Sequence, residues 1–345
     1  MRRALDLAAL GCGFVSPNPM VGAVIVCDGR IIGEGYHRRF GYGHAEVNAV
    51  ASVADRAVLR RSTMYVTLEP CAHYGKTPPC AQLIIDTGIP RVVIGCADPF
   101  AKVSGRGIAM LRQSGVEVTV GVLEKECRAL NRVFMTAHTL HRPYVMLKWA
   151  MSSDGFTDRR RRPEEPAERF STELTSLLVH RLRARYDAIM VGSGTVMADD
   201  PRLDVRHWSG RSPAVVVLDR MGCVSPKARV FSPGRRVVYF TAVPRSDIPA
   251  EVEQVECAPD TGVDNVLNDL YDKGLTSVMV EGGATLLRSV VNAGLWDEAR
   301  VEVAPCVLGS CGTGAMAVPP GQLSVTDIDG RSIMTVRNSN SATCY

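Results

Sequence analysis

Apolar and polar positions alternate along the first 120 residues in a rhythm of short hydrophobic runs and amphipathic stretches, which predicts a sheet covered by helices. Residues 21–26 and 31–36 read as strands flanking Asp28-Gly29, a dipeptide suited to a tight hairpin turn. A helix is expected over residues 44–51, a strand over 64–68, a helix over 81–87 stopped by Gly88, and a strand over 92–94. Residues 105–114 and 116–120 repeat helix and strand, and residues 123–140 predict one longer helix. Residues 1–10 form an amphipathic stretch that should end at Gly11.

A boundary is expected near His141-Arg142-Pro143, giving domains of residues 1–142 and 143–345. The second half opens with an apolar run at 144–148 and continues with others at 188–191, 214–218 and 237–240. Such unbroken runs suit parallel strands buried on both faces. Helices are expected over 172–185 and 264–273, then a strand at 277–280, the pair Gly282-Gly283 and another helix, so this half reads as a doubly wound α/β domain. The charged, proline-bounded stretch Arg159-Arg160-Arg161-Arg162-Pro163-Glu164-Glu165-Pro166 reads as an exposed loop.

Length agrees with two domains, since 345 residues exceed one typical core. The hydrophobic share of 46% and charged share of 22% exclude a disordered or fibrous chain. A net charge of +4 does not by itself imply nucleic acid. No stretch approaches the roughly 20 apolar residues of a membrane span, and residues 1–10 lack the features of an export signal, so a cytoplasmic location is expected. The 11 cysteines are odd in number, which fits reduced thiols and a few metal ligands better than a disulfide framework.

The chemistry concentrates in His44-Ala45-Glu46, Pro70-Cys71 and Cys80. One imidazole and two thiolates give zinc three protein ligands and leave a fourth tetrahedral position open, the arrangement of a catalytic site. Water there has its pKa lowered toward about 7 and can attack an amino-bearing ring carbon. Glu46 reaches that water without ligating the metal and can carry its proton to the leaving ammonia. The spacing departs from the generic His-x-Glu and Pro-Cys-x-x-Cys signature, because the second cysteine comes later. His73 is therefore a rival to Cys80 as third ligand, and if both joined, the site would be closed and structural.

Pro17-Asn18-Pro19-Met20-Val21-Gly22-Ala23-Val24, Gly43-His44-Ala45-Glu46-Val47, Thr67-Leu68-Glu69-Pro70-Cys71, Gly75-Lys76-Thr77-Pro78-Pro79-Cys80 and Gly105-Arg106-Gly107 resemble the bifunctional riboflavin-biosynthesis deaminase/reductase family. The resemblance covers nearly the whole chain, and that family carries the long Gly-Lys-Thr-Pro-Pro insertion between its cysteines. It implies a cytidine-deaminase-like three-layer domain followed by a dihydrofolate-reductase-like α/β domain. It also implies hydrolytic deamination of diaminohydroxyphosphoribosylaminopyrimidine, with one zinc per chain on His44, Cys71 and Cys80 and Glu46 as the proton shuttle. Asn18, His37 and Lys76 fall on substrate-contacting positions. Asn18 is held between prolines with an amide able to read a pyrimidine edge, and Lys76 offers a point charge for a phosphate.

In the second half, residues 280–286 read as strand, glycine pair and helix start, and Gly192-Ser193-Gly194-Thr195 as a second strand-end loop; together they outline a ligand crevice. The resemblance implies that NADPH reduces the ribosyl group to a ribityl chain. NADPH would be held by Ala150, Thr195, Asp199, Gly283, Ala284, Thr285, Leu286, Leu287, Arg288 and Ser289. The substrate would be held by Arg183, Leu203, Arg206 and Glu281. The family commonly has a polar segment ending in Trp-Ile-Thr where this chain has the arginine run and Arg169-Phe170-Ser171-Thr172, and a small residue where it has Arg220. These departures leave open the cofactor loop and the choice between NADPH and NADH. A phosphorylated small-molecule substrate, no nucleic-acid or membrane partner and a homo-oligomer are expected. The rival readings are a nucleic-acid deaminase with a recognition module, a zinc-stabilised interaction protein, and a deaminase with an inactive reductase half.

Overall fold

The computed structural model describes residues 1–73, 78–99, 105–162 and 165–339. The chain divides into two compact units, Met1–His141 and a second that begins at Arg142.

The first unit is built on a five-stranded sheet. Its strands are β1 (Gly22–Cys27), β2 (Arg30–Tyr36), β3 (Thr63–Leu68), β4 (Arg91–Cys96) and β5 (Glu117–Val120), in spatial order β2-β1-β3-β4-β5. β1 runs antiparallel to both β2 and β3, while β3, β4 and β5 are parallel. Asp28 and Gly29 both take positive φ, 50° and 75°, as the hairpin turn requires. Around this sheet lie α1 (Arg2–Ala9), α2 (Ala45–Ala51), α3 (Cys80–Thr87), α4 (Arg106–Gln113), α5 (Glu124–Leu130) and α6 (Arg132–Leu140). Ile25, Met64, Val66, Ile84, Ile94 and Leu111 form the middle of the core. A Cβ on Gly35 would lie 2.3 Å from the Ala49 amide, so only glycine lets α2 press this closely on the hairpin. That contact fixes the helix bearing Glu46.

The single helix expected over residues 123–140 is two helices, broken at Asn131. The Met20 amide donates to Asn131 Oδ1 at 2.8 Å and Asn131 Nδ2 donates to the Met20 carbonyl at 2.9 Å. The buried side chain imitates a strand partner for the loop that carries Asn18, and the helix yields to that long-range pair.

The second unit holds a nine-stranded sheet. Its elements are β6 (Tyr144–Ser152), β7 (Phe156–Arg159), α7 (Glu173–Arg183), β8 (Ala188–Gly192), α8 (Ser193–Asp199), β9 (Ala214–Leu218), β10 (Val237–Thr241), β11 (Glu253–Glu256), α9 (Val263–Asp272), β12 (Ser277–Glu281), α10 (Ala284–Asn292), β13 (Glu298–Ala304), β14 (Gly312–Gly314), β15 (Gln322–Ile328) and β16 (Arg331–Arg337). The large sheet is ordered β11-β10-β9-β8-β12-β6-β13-β16-β15. Strands from β11 to β13 are parallel, and the β15–β16 hairpin closes the far side antiparallel. Leu147, Met190, Val216, Leu267, Val280 and Val301 pack the core. At the entrance to β6, Arg142 makes a bidentate ion pair with Asp297 at 2.7 and 2.9 Å, and Asp297 also accepts the Val145 amide.

The stretch read as a loop at 192–195 is the end of β8 and the first turn of α8, because Gly192, extended at φ −85°, ψ 159°, serves as the N-cap. The arginine run is not a solvated loop throughout. Arg159 ends β7, and the Arg161 side chain, 8% exposed, pairs with Asp158 at 2.6 Å and with Asp199. Pro163 and Glu164 of that run lie outside the described residues.

Candidate functional site

Three elements of the first unit bring their ends together. His44 is the N-cap of α2, Cys71 follows β3 across Glu69-Pro70, and Cys80 opens α3 behind Pro79. His44 Nδ1 lies 3.3 Å from Cys80 Sγ and 3.7 Å from Cys71 Sγ, and the Cys80 amide donates to Cys71 Sγ at 3.2 Å. The three candidate donor atoms lie within 4.8 Å of one another. A thiol hydrogen bond from Cys80 holds Cys71 well below the ordinary thiol range, and that bond together with burial pushes Cys80 up. One imidazole and two sulfurs, one of them readily ionised, are a donor set that fits zinc. His73 is exposed and lies outside this converging group.

Glu46, on the first turn of α2, is 3% exposed, and its Oε2 is buried without a hydrogen-bond partner among the described residues. Burial, with the Cys71 sulfur close by, pushes its carboxyl up to about 7. His37 is buried with its ring centroid 5.4 Å from that of His44, and burial lowers its pKa. Its Nδ1 faces the Gly43 carbonyl at 3.2 Å, which makes Nδ1 the donor, so Nε2 accepts from Asn18 Nδ2 at 3.2 Å. Asn18 is thereby oriented from behind by a neutral imidazole. Lys76 lies outside the described residues.

Behind the cysteines, Glu69 is 4% exposed and gathers four backbone amides, those of Asp98, Gly105, Gly107 and Ile108, at 3.0–3.2 Å. Its carboxylate therefore fills the amino end of α4, where free N–H groups favour negative charge. A Cβ on Gly107 would come 2.0 Å from the Pro70 carbonyl, so α4 is locked against the residue before Cys71.

In the second unit a cleft of about 1580 Å³ opens along the carboxyl ends of β6, β8, β9 and β12. Thr195 lies against the glycine pair of β12, since a Cβ on Gly283 would be 3.3 Å from its Oγ1. Gly282 and Gly283 take φ of 97° and 69°, and Gly283 caps α10. Glu281 receives a bidentate ion pair from Arg183 at 2.7 and 2.8 Å. Burial alone would raise the Glu281 carboxyl, but Arg183 holds it down to about 2. Beside them Lys148 projects from β6 into the cleft, where burial lowers its pKa against the pull of Glu281.

Residues 1–96 match the family described as the cytidine and deoxycytidylate deaminase zinc-binding region, and residues 143–340 match the RibD C-terminal domain. The chain is 38% identical over 341 residues to the riboflavin biosynthesis protein RibD of Escherichia coli, covering 92% of this chain and 90% of that protein. The chain belongs to the RibD family. A crystal structure of a diaminohydroxyphosphoribosylaminopyrimidine deaminase/5-amino-6-(5-phosphoribosylamino)uracil reductase from Thermotoga maritima superposes with a TM-score of 0.89 at 39% identity, covering 98% of this chain and 97% of the other. RibD of Acinetobacter baumannii gives 0.89 at 33%, covering 98% of each. The expected union of a cytidine-deaminase-like domain with a RibD reductase domain therefore stands, and a nucleic-acid recognition module does not.

His44, Cys71, Cys80 and Glu46 converge, with Asn18 and His37 linked beside them. Ala150, Thr195, Asp199, Gly283, Ala284, Thr285, Leu286, Leu287 and Ser289 line the cleft, as do Arg183, Leu203 and Glu281. Arg288 does not line it; its Nε turns back to the Ala284 carbonyl at 3.1 Å on the exposed side of α10. Arg206 is also absent from the lining and bonds Asp204 at 2.6 Å. Asp199 lines the cleft with its carboxylate engaged by Arg161. Sequence reasoning missed Glu69, quoted only as part of a motif, and Lys148, a cation at the end of an apolar run.

Proposed function

We propose that the chain is a bifunctional riboflavin-biosynthesis enzyme that deaminates diaminohydroxyphosphoribosylaminopyrimidine hydrolytically and then reduces the ribosyl side chain of the product to ribityl with NADPH. The observation that carries the first step is the convergence of His44, Cys71 and Cys80 beside a buried carboxyl with an unpartnered oxygen. Zinc held by those three residues would supply a Lewis acid that makes water nucleophilic at neutral pH. Glu46 takes a proton from the attacking water and gives it to the departing amine, so that ammonia leaves and a carbonyl remains. A carboxyl at about 7 is suited to both transfers. His37, kept neutral and anchored on Gly43, orients Asn18 toward the pyrimidine edge.

In the second unit NADPH would supply the reducing equivalent. The amino end of α10 at Gly283 offers backbone N–H groups to its phosphates, and Thr195 braces that turn. Reduction also consumes a proton, and Lys148 holds one in the cleft at an amine whose burial favours release. Glu281, fixed as a carboxylate by Arg183, is positioned to accept substrate hydroxyls.

A cytoplasmic location and a homo-oligomer belong to the same reading. Nine cysteines, Cys71 and Cys80 among them, form no disulfide among the described residues, and the outermost strand β15 exposes Leu323 and Val325. Light scattering tests the assembly. The decisive assay supplies the phosphorylated diaminopyrimidine with and without NADPH and identifies products by mass. Exchange of an amino group for oxygen is expected without NADPH, and addition of two hydrogens with it. Unchanged substrate in both arms would refute the reading.

A further inference from the structure

The geometry points to His180 as a positioning residue of the reductase, an imidazole outside the cleft that holds residues 201–206 in the conformation that carries Leu203 into it. This rests on the reductase reading above. Residues 201–206 form neither helix nor strand, so no ladder of backbone bonds fixes their path. Within them Leu203 takes φ of 53°, a left-handed backbone that any residue with a side chain disfavours. Leu203 is nevertheless buried and lines the cleft. A residue keeps such a conformation only where its surroundings over-determine it, and at a ligand cleft the strain commonly serves to shape the site. What the surroundings supply here is side chains from outside the stretch.

Three successive residues after Leu203 are pinned. Arg183 donates to the Asp204 carbonyl at 3.2 Å, the Val205 amide donates to Ser212 Oγ at 3.0 Å, and the Arg206 amide donates to His180 Nδ1 at 3.3 Å. His180 and Arg183 stand three residues apart on α7, so one face of that helix grips the stretch twice. The buried His180 ring also meets the ring of His207 edge-on, with centroids 4.8 Å apart, which carries the hold one residue further. To accept an amide, Nδ1 must keep its lone pair, which leaves the proton on Nε2 and the ring neutral. Burial, with Arg183, Arg206 and His207 nearby, secures that form by pushing the pKa down to about 4. Arg183 also fixes Glu281, so its loss would mix two effects, whereas the bond from His180 is to the stretch itself. Since that stretch brings Leu203 to the substrate and the glycine pair after β12 meets NADPH, it is affinity for the substrate that depends on His180.

Three variants of the full chain separate this bond from mere packing, with NADPH oxidation followed at varied concentrations of the deaminated substrate. Asparagine sets an amide oxygen near the place of Nδ1, glutamine reaches instead to the place of Nε2, and phenylalanine fills the volume with no acceptor. His180→Gln and His180→Phe should raise KM for the deaminated substrate by about tenfold, the loss of one well-placed bond, while kcat, KM for NADPH and the rate of deamination stay at native values. His180→Asn should return KM to within about threefold of native. The contrast between asparagine and glutamine decides the matter if the phenylalanine variant does not fold. Native KM in the glutamine variant would overturn the assignment, as would an equal rise in the asparagine and glutamine variants, which would make the ring's packing the cause. A fall in kcat or a rise in KM for NADPH would overturn it too, by placing the effect outside the stretch. Failure of the reductase reading is seen separately, as no NADPH oxidation by native protein given the deaminated substrate.

Discussion

A carboxyl that must accept a proton from water and surrender it to an amine within one turnover works best when its pKa lies near the working pH. Glu46 reaches that condition through burial, its charged form being penalised by the apolar packing of α2 against the sheet. Glu46→Gln keeps the shape and removes the transferable proton. We expect this variant to bind zinc stoichiometrically, measured by elemental analysis, and to lose deamination by about 10²–10⁴-fold. Retained turnover would remove the shuttle. Glu281 shows the opposite use of burial, since Arg183 holds its carboxyl at about 2 against an ordinary value of 4.5. Because the folded value is the lower one, the pair stabilises fully above the ordinary value, and the contribution drains away as pH falls toward about 2. Chemical denaturation should therefore show Glu281→Gln clearly less stable than native at ~pH 6, with the gap narrowing steadily as pH falls below about 4.5 toward about 2. A gap that stays constant with pH would show that the charge of Glu281 is not what stabilises the pair.

Helices and strands here are positioned by a few contacts that local pattern does not announce. The amino end of α4 is held by Glu69 through four amides and by the close approach of Gly107 to Pro70. Gly107→Ala would force the Pro70 carbonyl aside, and Pro70 precedes Cys71. The expected cost is about 1–3 kcal/mol of stability in the first unit, with weaker zinc retention and slower deamination while reduction is unaffected. Thermal melts and paired assays check this, and equal loss of both activities would show a global effect. The hairpin at Asp28-Gly29, the stop of α3 at Gly88 and the apolar strands of both sheets were legible because their causes are local. The break at Asn131 was not, since its partner Met20 is 111 residues away. Burial of Arg161 depends likewise on Asp199, 38 residues on. The C-terminal hairpin was not read, although Asp329-Gly330 marks its turn by the same local chemistry as Asp28-Gly29; the apolar Leu323 and Val325 of its outer strand are exposed rather than turned to a core.

The metal site was the most legible part of the chain because a tetrahedral ion demands few residue types, and His-x-Glu with two later cysteines supplies them in order; convergence in space agrees with the choice of Cys80 over His73. The reductase cleft was legible only through resemblance, since its lining comes from strand ends scattered from Lys148 to Thr313 and no short motif records it. That difference in origin has a functional consequence. The residues of the metal site all lie in the first unit and those of the cleft all lie in the second, and each unit has its own buried core. Removing the metal should therefore abolish one chemistry and spare the other. Treatment of the full chain with a strong zinc chelator is expected to suppress release of ammonia by at least about 10²-fold, since hydrolysis then lacks its activated water. NADPH oxidation with the deaminated intermediate should continue at close to the native rate, and adding zinc back should restore the first activity alone. Loss of both activities on chelation would mean that the second unit depends on the metal for its structure. Loss of neither would mean that the three converging donors do not hold the ion on which deamination relies.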